Sequence, residues 1–110
     1  FIAAHGTGTP DNDSAESKAL ASVFDSVPPF CSMKRTLGHT LGASGALEAV
    51  FAVKALLEGV VPPTAGFATP DDTIGMVPSA GEKRHMTHVI KNAFGFGGNN
   101  ASAVFSEAGS

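Results

Sequence analysis

The stretch "FCSMKRTLGHTLGASGALEAVFAVKALLEG", residues 30–59, holds a short apolar run, a glycine-rich turn and a segment with no glycine or proline from Ala46 to Glu58. The opening run reads as a strand and Ser44 to Glu58 as the longest helix of the chain. Gly59 is placed to cap that helix, and Pro62 and Pro63 block its continuation. Upstream, "FIAA" at 1–4 reads as a short buried strand that leaves through the loop "HGTGTPD". Asp13, followed three residues later by Glu16, resembles a capping box that starts a further helix. Behind it Ala15, Ala19, Leu20, Val23 and Phe24 share one helical face, and Pro28 and Pro29 end the segment. Downstream, Pro62 to Gly81 is rich in Pro, Gly and Asp and is expected to be irregular. "HVIKNAF" and "ASAVFSEA" then read as two final strands around "AFGFGGNNAS" at 93–102.

Strand, helix, strand and helix in short succession imply an α/β layered fold with parallel strands. The helix between the first two strands returns the chain, so both strands run the same way. The loops leaving "FIAA" and "FCSM" therefore emerge at one edge of the sheet, the carboxyl edge that ligands favour in open α/β sheets. His5 is thus expected near Lys34 and His39, although the two histidines lie 34 positions apart.

The totals bound the function. A chain of 110 residues is one domain or part of a larger one. With 43% hydrophobic and 15% charged residues it must bury a core, and it has more apolar surface than charge to cover it. Such a chain is expected to lean on a partner surface. The net charge of −3, with no basic stripe, argues against nucleic acid as a partner. Glu48 and Lys54 interrupt the apolar run from Leu41 to Leu57, which is therefore not expected to span a membrane. Cys31, the single cysteine, excludes an internal disulfide and suits a reducing compartment. The chain opens on Phe1 without Met and without a leader pattern, so the expectation is a cytoplasmic fragment of a longer protein.

Several residues could carry chemistry. Taken alone, His5 is as readily a histidine bonded to loop backbone as a functional group, and His39 alone is equally open. Two histidines at one sheet edge, with Lys34 close by, make a stronger case. Neutral imidazoles can donate hydrogen bonds to a developing oxyanion, and a nearby cation favours the charge. Glu48 lies among Leu47, Ala49, Phe51 and Ala52 on the long helix, so its carboxylate is expected to be partly buried and paired, with Lys34 or a histidine as candidate. A Glu reaching out to solvent is the competing reading. Cys31 sits inside a strand and reads as a small buried hydrophobe rather than a nucleophile. His85 and His88 could mimic a metal pair, but a solvated strand end fits them better. "GFGGNN" and "GTGTP" match neither the GxGxxG nor the Walker pattern, which weakens an independent nucleotide-binding module.

Together "AHGTGTPDND", "MKRTLGHTLGASGALEA" and "NAFGFGGNNAS" resemble, in order, the C-terminal part of the β-ketoacyl-acyl-carrier-protein synthases, condensing enzymes of the thiolase-like superfamily. The resemblance implies a layered α/β thiolase-like half-domain, with a mixed sheet and helices packed on it, incomplete without an N-terminal half. It makes 1–110 one C-terminal ketoacyl-synthase domain. It also implies the family's reaction. A cysteine takes an acyl chain from a carrier protein, a malonyl thioester loses CO2, and the resulting carbanion attacks the acyl-cysteine. By resemblance His5 and His39 bond the thioester oxygen, and Lys34 and Glu48 are the charged pair that supports them. Thr7 and Thr9 contact the phosphopantetheine arm. The backbone N–H of Phe96 helps form an oxyanion hole, while Phe94, Gly95 and Phe96 belong to a gating loop beside the acyl pocket.

The resemblance further implies acyl carrier protein with acyl and malonyl thioesters as partner, a homodimer of the full protein and no directly bound cofactor. Asn12 replaces a glycine common in relatives and is expected to alter only a turn. The family's nucleophilic cysteine belongs to the preceding half. A non-catalytic, chain-length-determining partner subunit of a ketosynthase heterodimer is the alternative.

Overall fold

The computed structural model describes residues 1–65, 76–95 and 98–109. The chain runs β1 (Ile2–Ala3), α1 (Pro10–Val23), β2 (Phe30–Cys31), α2 (Lys34–Leu37), a 3-10 turn (Leu41–Ala43), α3 (Ser44–Glu58), β3 (Val60–Val61), β4 (Glu82–Lys83), β5 (His88–Phe94) and β6 (Asn100–Ser106). Four strands form a mixed sheet in the order β2-β1-β5-β6, and β3 pairs with β4 in a small antiparallel sheet.

Register decides where the site lies. Central β1 pairs in parallel on both sides, with Ala3 opposite Cys31 of β2 and Lys91 of β5. Residues two or three positions beyond each of these, His5, Lys34 and Phe94, therefore leave the sheet at one carboxyl edge. β6 runs antiparallel to β5, with Asn100 opposite Phe94, so β6 begins at the edge where β5 ends.

Helix α3 occupies Ser44–Glu58 as its sequence implies. It ends where Gly59 turns left-handed at φ 65°, its N–H returning to the carbonyls of Ala55 and Leu56. Its inner face is built from Ser44, Glu48, Ala52 and Ala55, residues three or four apart. Small side chains bring the helix close: a Cβ on Gly45 would lie 3.5 Å from Cβ of Ala93 on β5. Phe1, Ala3, Cys31, Met33, Ala52, Ala55, Leu56, Val61 and Val89 make the core between helix and sheet.

Four expectations need correction. Helix α1 begins at Pro10, not Asp13; Thr9 is its N-cap and makes no side-chain capping bond. Glu16 serves the preceding loop instead of a capping box. Of the face expected to be apolar only Leu20 is buried: Ala15, Ala19 and Val23 are exposed and Phe24 is half-buried, whereas Glu16 and Ser17 are buried. Three small or lone apolar side chains offer little area to bury, and a carboxylate needed by two loop N–H groups sets the rotation of the helix. The turn "TLGHTLGASG" is not plain loop: it takes in the end of α2 and the 3-10 turn, which opens on Leu41 at φ 51°. Asn12 lies inside α1 rather than in a turn, where its amide donates to Asp13 Oδ1 at 3.1 Å.

Candidate functional site

The loop after β1 is held from below before any side chain reaches into the site. The carboxylate of Glu16 accepts the backbone N–H of His5 at 2.8 Å and of Gly6 at 2.9 Å, and the amide of Asn92 on β5 donates to it at 3.3 Å. Gly6 is at φ 46°, and a Cβ there would stand 2.6 Å from the Ser32 side chain. Only glycine permits that approach. Ser32 Oγ uses it to donate to the carbonyl of Gly6 at 2.7 Å, joining the loops that follow β1 and β2.

The two imidazoles meet at the edge of the sheet. Their ring centres lie 5.5 Å apart, with the planes at 86°. His5 Nδ1 is 3.3 Å from the N–H of Phe94 and 3.4 Å from Lys34 Nζ. Both are donors, so Nδ1 must offer its lone pair and the proton sits on Nε2. His39 obeys the same logic, because Nδ1 accepts the N–H of Leu41 at 3.2 Å. Each ring thus keeps an N–H on Nε2. Burial is the main cause that lowers the pKa of His5. The Lys34 ammonium adds to it, Glu16 opposes, and Lys91 and His39 lower it further. His5 is therefore neutral at physiological pH.

Beneath the rings lies a floor of buried charge. Glu48, 1% exposed, receives Lys34 Nζ at 3.1 Å on both oxygens. Lys91 Nζ lies 3.2 Å from Oε1, and the hydroxyl of Ser44 donates to Oε2. Burial pushes the Glu48 carboxyl up, but the Ser44 hydroxyl and the two ammoniums outweigh it and hold the group below its ordinary value. Removing ions from water costs several kcal/mol each, so such charges persist only when fully paired. No buried side-chain polar atom among the described residues lacks a hydrogen-bond partner.

Above this floor opens a cavity of about 600 Å³, lined among others by His5, Thr7, Thr9, His39, Phe94 and Gly95. The hydroxyls of Thr7 and Thr9 share a hydrogen bond of 2.7 Å. The Phe94 ring packs 5.4 Å from that of His5. Phe96 lies outside the described residues. Lys34 and Glu48 stand below the lining rather than in it. Chemically, a polar spot with two imidazole N–H donors over a buried cation suits an oxygen that is gaining negative charge.

Other candidates lie elsewhere. Cys31 is fully buried in β2, and burial pushes its thiol up to about 11, so it is a core residue and no nucleophile. His85 faces Glu107 at 3.7 Å on the surface, and His88 Nδ1 lies 2.7 Å from Thr87 Oγ1 at the exposed start of β5. Lys91 and Asn92 escaped the sequence reading, and Glu16 was read there only as part of a helix cap. For Lys91 a signal existed: in a strand it shares the face of Val89, two residues before it, and Val89 is fully buried.

Residues 1–68 match the family model described as "Beta-ketoacyl synthase, C-terminal domain". Over 111 residues the chain is 40% identical to 3-oxoacyl-[acyl-carrier-protein] synthase 2 of Vibrio harveyi, covering 96% of this chain and 27% of that protein. The solved ishigamide ketosynthase/chain length factor superposes with a TM-score of 0.91 at 37% identity, covering 99% of this chain and 28% of that one. A type II polyketide ketosynthase, bound to the hexaketide and in complex with its acyl-carrier protein, gives 0.89 at 30% identity over 97% and 28%. The chain therefore spans about a quarter of the length of these relatives. It belongs to the β-ketoacyl synthase family, in the C-terminal domain.

Proposed function

We propose that this member of the β-ketoacyl synthase family serves a 3-oxoacyl-acyl-carrier-protein synthase, an acyltransferase of fatty-acid or polyketide-type synthesis, as its C-terminal ketoacyl-synthase domain over 1–110. One observation carries the reading: both imidazoles spend Nδ1 on backbone N–H groups and so keep an Nε2–H each, with rings 5.5 Å apart beside one cavity.

The steps follow. A malonyl thioester lies with its carbonyl oxygen toward His5 and His39. The bond to the carboxylate breaks, CO2 leaves, and the electron pair enters the thioester as an enolate whose oxygen the two N–H donors hold. Lys34 and Glu48 act from below. The ammonium keeps the lone pair of His5 Nδ1 engaged, so the ring donates from Nε2 and does not take up a proton. The enolate carbon then attacks an acyl thioester on a cysteine supplied from outside these 110 residues. A carbon–carbon bond forms, the C–S bond breaks, and the cysteine leaves as thiolate. The N–H of Phe96 stabilises the oxyanion of that second step. Phe94, Gly95 and Phe96 gate the acyl pocket, and Thr7 and Thr9 steady the phosphopantetheine arm of the acyl carrier protein. The full protein acts as a homodimer in the cytoplasm.

The test is His5→Ala and His39→Ala in the full-length enzyme. Each is expected to slow malonyl decarboxylation by about 10² to 10³; undiminished decarboxylation in either variant would contradict the assignment. A second reading draws on the likeness to a ketosynthase/chain length factor structure: a non-catalytic subunit that sets product length. Failure of the full-length protein to take up a labelled acyl group covalently, with decarboxylation absent in the wild type, would favour it.

A further inference from the structure

Apart from the Cys31 thiol, the ionisable side chains buried among the described residues are His5, Glu16, Lys34, Glu48 and Lys91. All five lie in one connected group, with His5 in the cavity wall and the rest beneath it. Lys34 alone already grips both oxygens of Glu48 at 3.1 Å, so the carboxylate needs no second ammonium for neutrality. Lys91 is nevertheless 3% exposed on a central stretch of β5. Its Nζ lies 3.4 Å from the carbonyl of Ala3, 3.3 Å from that of Ala4, against that of Asn92, and 3.2 Å from Glu48 Oε1. Ala4 directly precedes His5. Only a group made of donors alone suits such a nest of acceptors, and an ammonium is one.

We propose that Lys91 is a positioning residue of this site: seated on the carbonyls that lead into His5 and on Glu48, its buried positive charge fixes the end of β1 and holds the His5 imidazole in the neutral form that accepts at Nδ1. The inference rests on the assignment of His5 as an oxyanion donor.

Charge arithmetic supports it. His5 is faced by Glu16 from α1, Lys34 from α2, His39 from the following loop and Lys91 from β5, and Glu48 from α3 is the shared counter-ion of both lysines. With Lys91 present, two ammoniums balance two carboxylates. Without it one ammonium faces two carboxylates, and a protonated His5 would restore the balance. That proton would occupy Nδ1, where the ring could no longer accept from Phe94 or Lys34. Among the causes that shift His5, Lys91 indeed acts to lower its pKa. Burial lowers the pKa of Lys91, and the Glu48 carboxylate beside it opposes that shift.

The experiment uses the full-length enzyme with labelled histidine, comparing wild type, Lys91→Gln and Lys91→Arg. It reads the His5 titration by NMR and the pH profile of malonyl decarboxylation. In Lys91→Gln both the His5 titration and the acidic limb of the profile are expected to move to higher pH, so that the rate ratio between pH 8 and pH 6 rises; Lys91→Arg restores the wild-type limb. A rate lowered equally at every pH, with the His5 titration unmoved, would overturn the proposal and leave Lys91 a packing residue. If the neutral variant does not fold, the wild type still decides, because a wild-type His5 carrying a proton on Nδ1 at pH 7 contradicts the inference. His5→Ala, run in parallel, separates the two claims: full decarboxylation in that variant rejects the role of His5, while the titration continues to judge Lys91.

Discussion

Helix α3 has two faces that reverse the ordinary amphipathic arrangement. Its inner face presents Ser44, Glu48, Ala52 and Ala55 to the sheet, a carboxylate among small side chains, all buried. Its outer face presents Leu47, Val50, Phe51 and Leu57, all exposed, Leu57 at 76%. A helix that buries a carboxylate and leaves four large hydrophobes exposed has not chosen its rotation by apolar burial alone. The inner face is committed to the site: Glu48 is the counter-ion for two lysines, and the small residues let the helix approach the sheet closely enough to deliver it. The outer face has the composition of a surface meant to be covered, and the chain spans about a quarter of the length of its relatives.

The contrast can be broken most severely on the inner face. Glu48→Leu strands the ammoniums of Lys34 and Lys91 in the interior, and is expected to lower the unfolding free energy of the full-length protein by about 3–5 kcal/mol. An unchanged urea midpoint would show that the pair does not hold the fold. The same interaction is visible through pH. The folded pKa of Glu48 lies below its ordinary 4.5, so the stabilisation is fully present above that value and is lost as pH falls through the folded one. Acid unfolding monitored by circular dichroism is expected to lose this dependence in Glu48→Gln.

On the outer face the expected effect depends on context. Val50→Glu in the 110-residue chain should move stability by about 0.5 kcal/mol or less and reduce hydrophobic-dye binding. In the full-length protein the same substitution should cost about 2 kcal/mol or more, because it buries an unpaired carboxylate. Equal effects in both would mean that nothing covers the face. The smallest effect belongs to the end of the same helix. Glu58 pairs with Lys54 at 2.9 Å, with both side chains more than half exposed. Glu58→Gln is expected to cost about 0.3–0.5 kcal/mol, vanishing in high salt; a salt-independent loss would contradict this.

Much of the frame was legible because its signals are local. Gly59 and the uninterrupted run before it bound α3 at Ser44–Glu58, and "HVIKNAF", read as a strand leading into the glycine-rich motif, is β5 at His88–Phe94. The meeting of His5, Lys34 and His39 followed from parallel-strand topology, without any long-range signal in the chain. The misses have physical causes. The rotation of α1 was set by a tertiary bond, Glu16 to the loop N–H groups, which outweighed a weak apolar stripe. β3 and β4 are two-residue strands, too short for any periodicity to announce. Lys91 was passed over because lysine is ordinarily a surface residue, although its phase with Val89 placed it inside.

The most direct measurement is the tautomer of the two histidines, by nitrogen NMR of the labelled full-length enzyme near pH 7. The account predicts a neutral ring at His5 and, in both rings, a proton on Nε2. An imidazolium at His5, or a proton on Nδ1 of either ring, would contradict it.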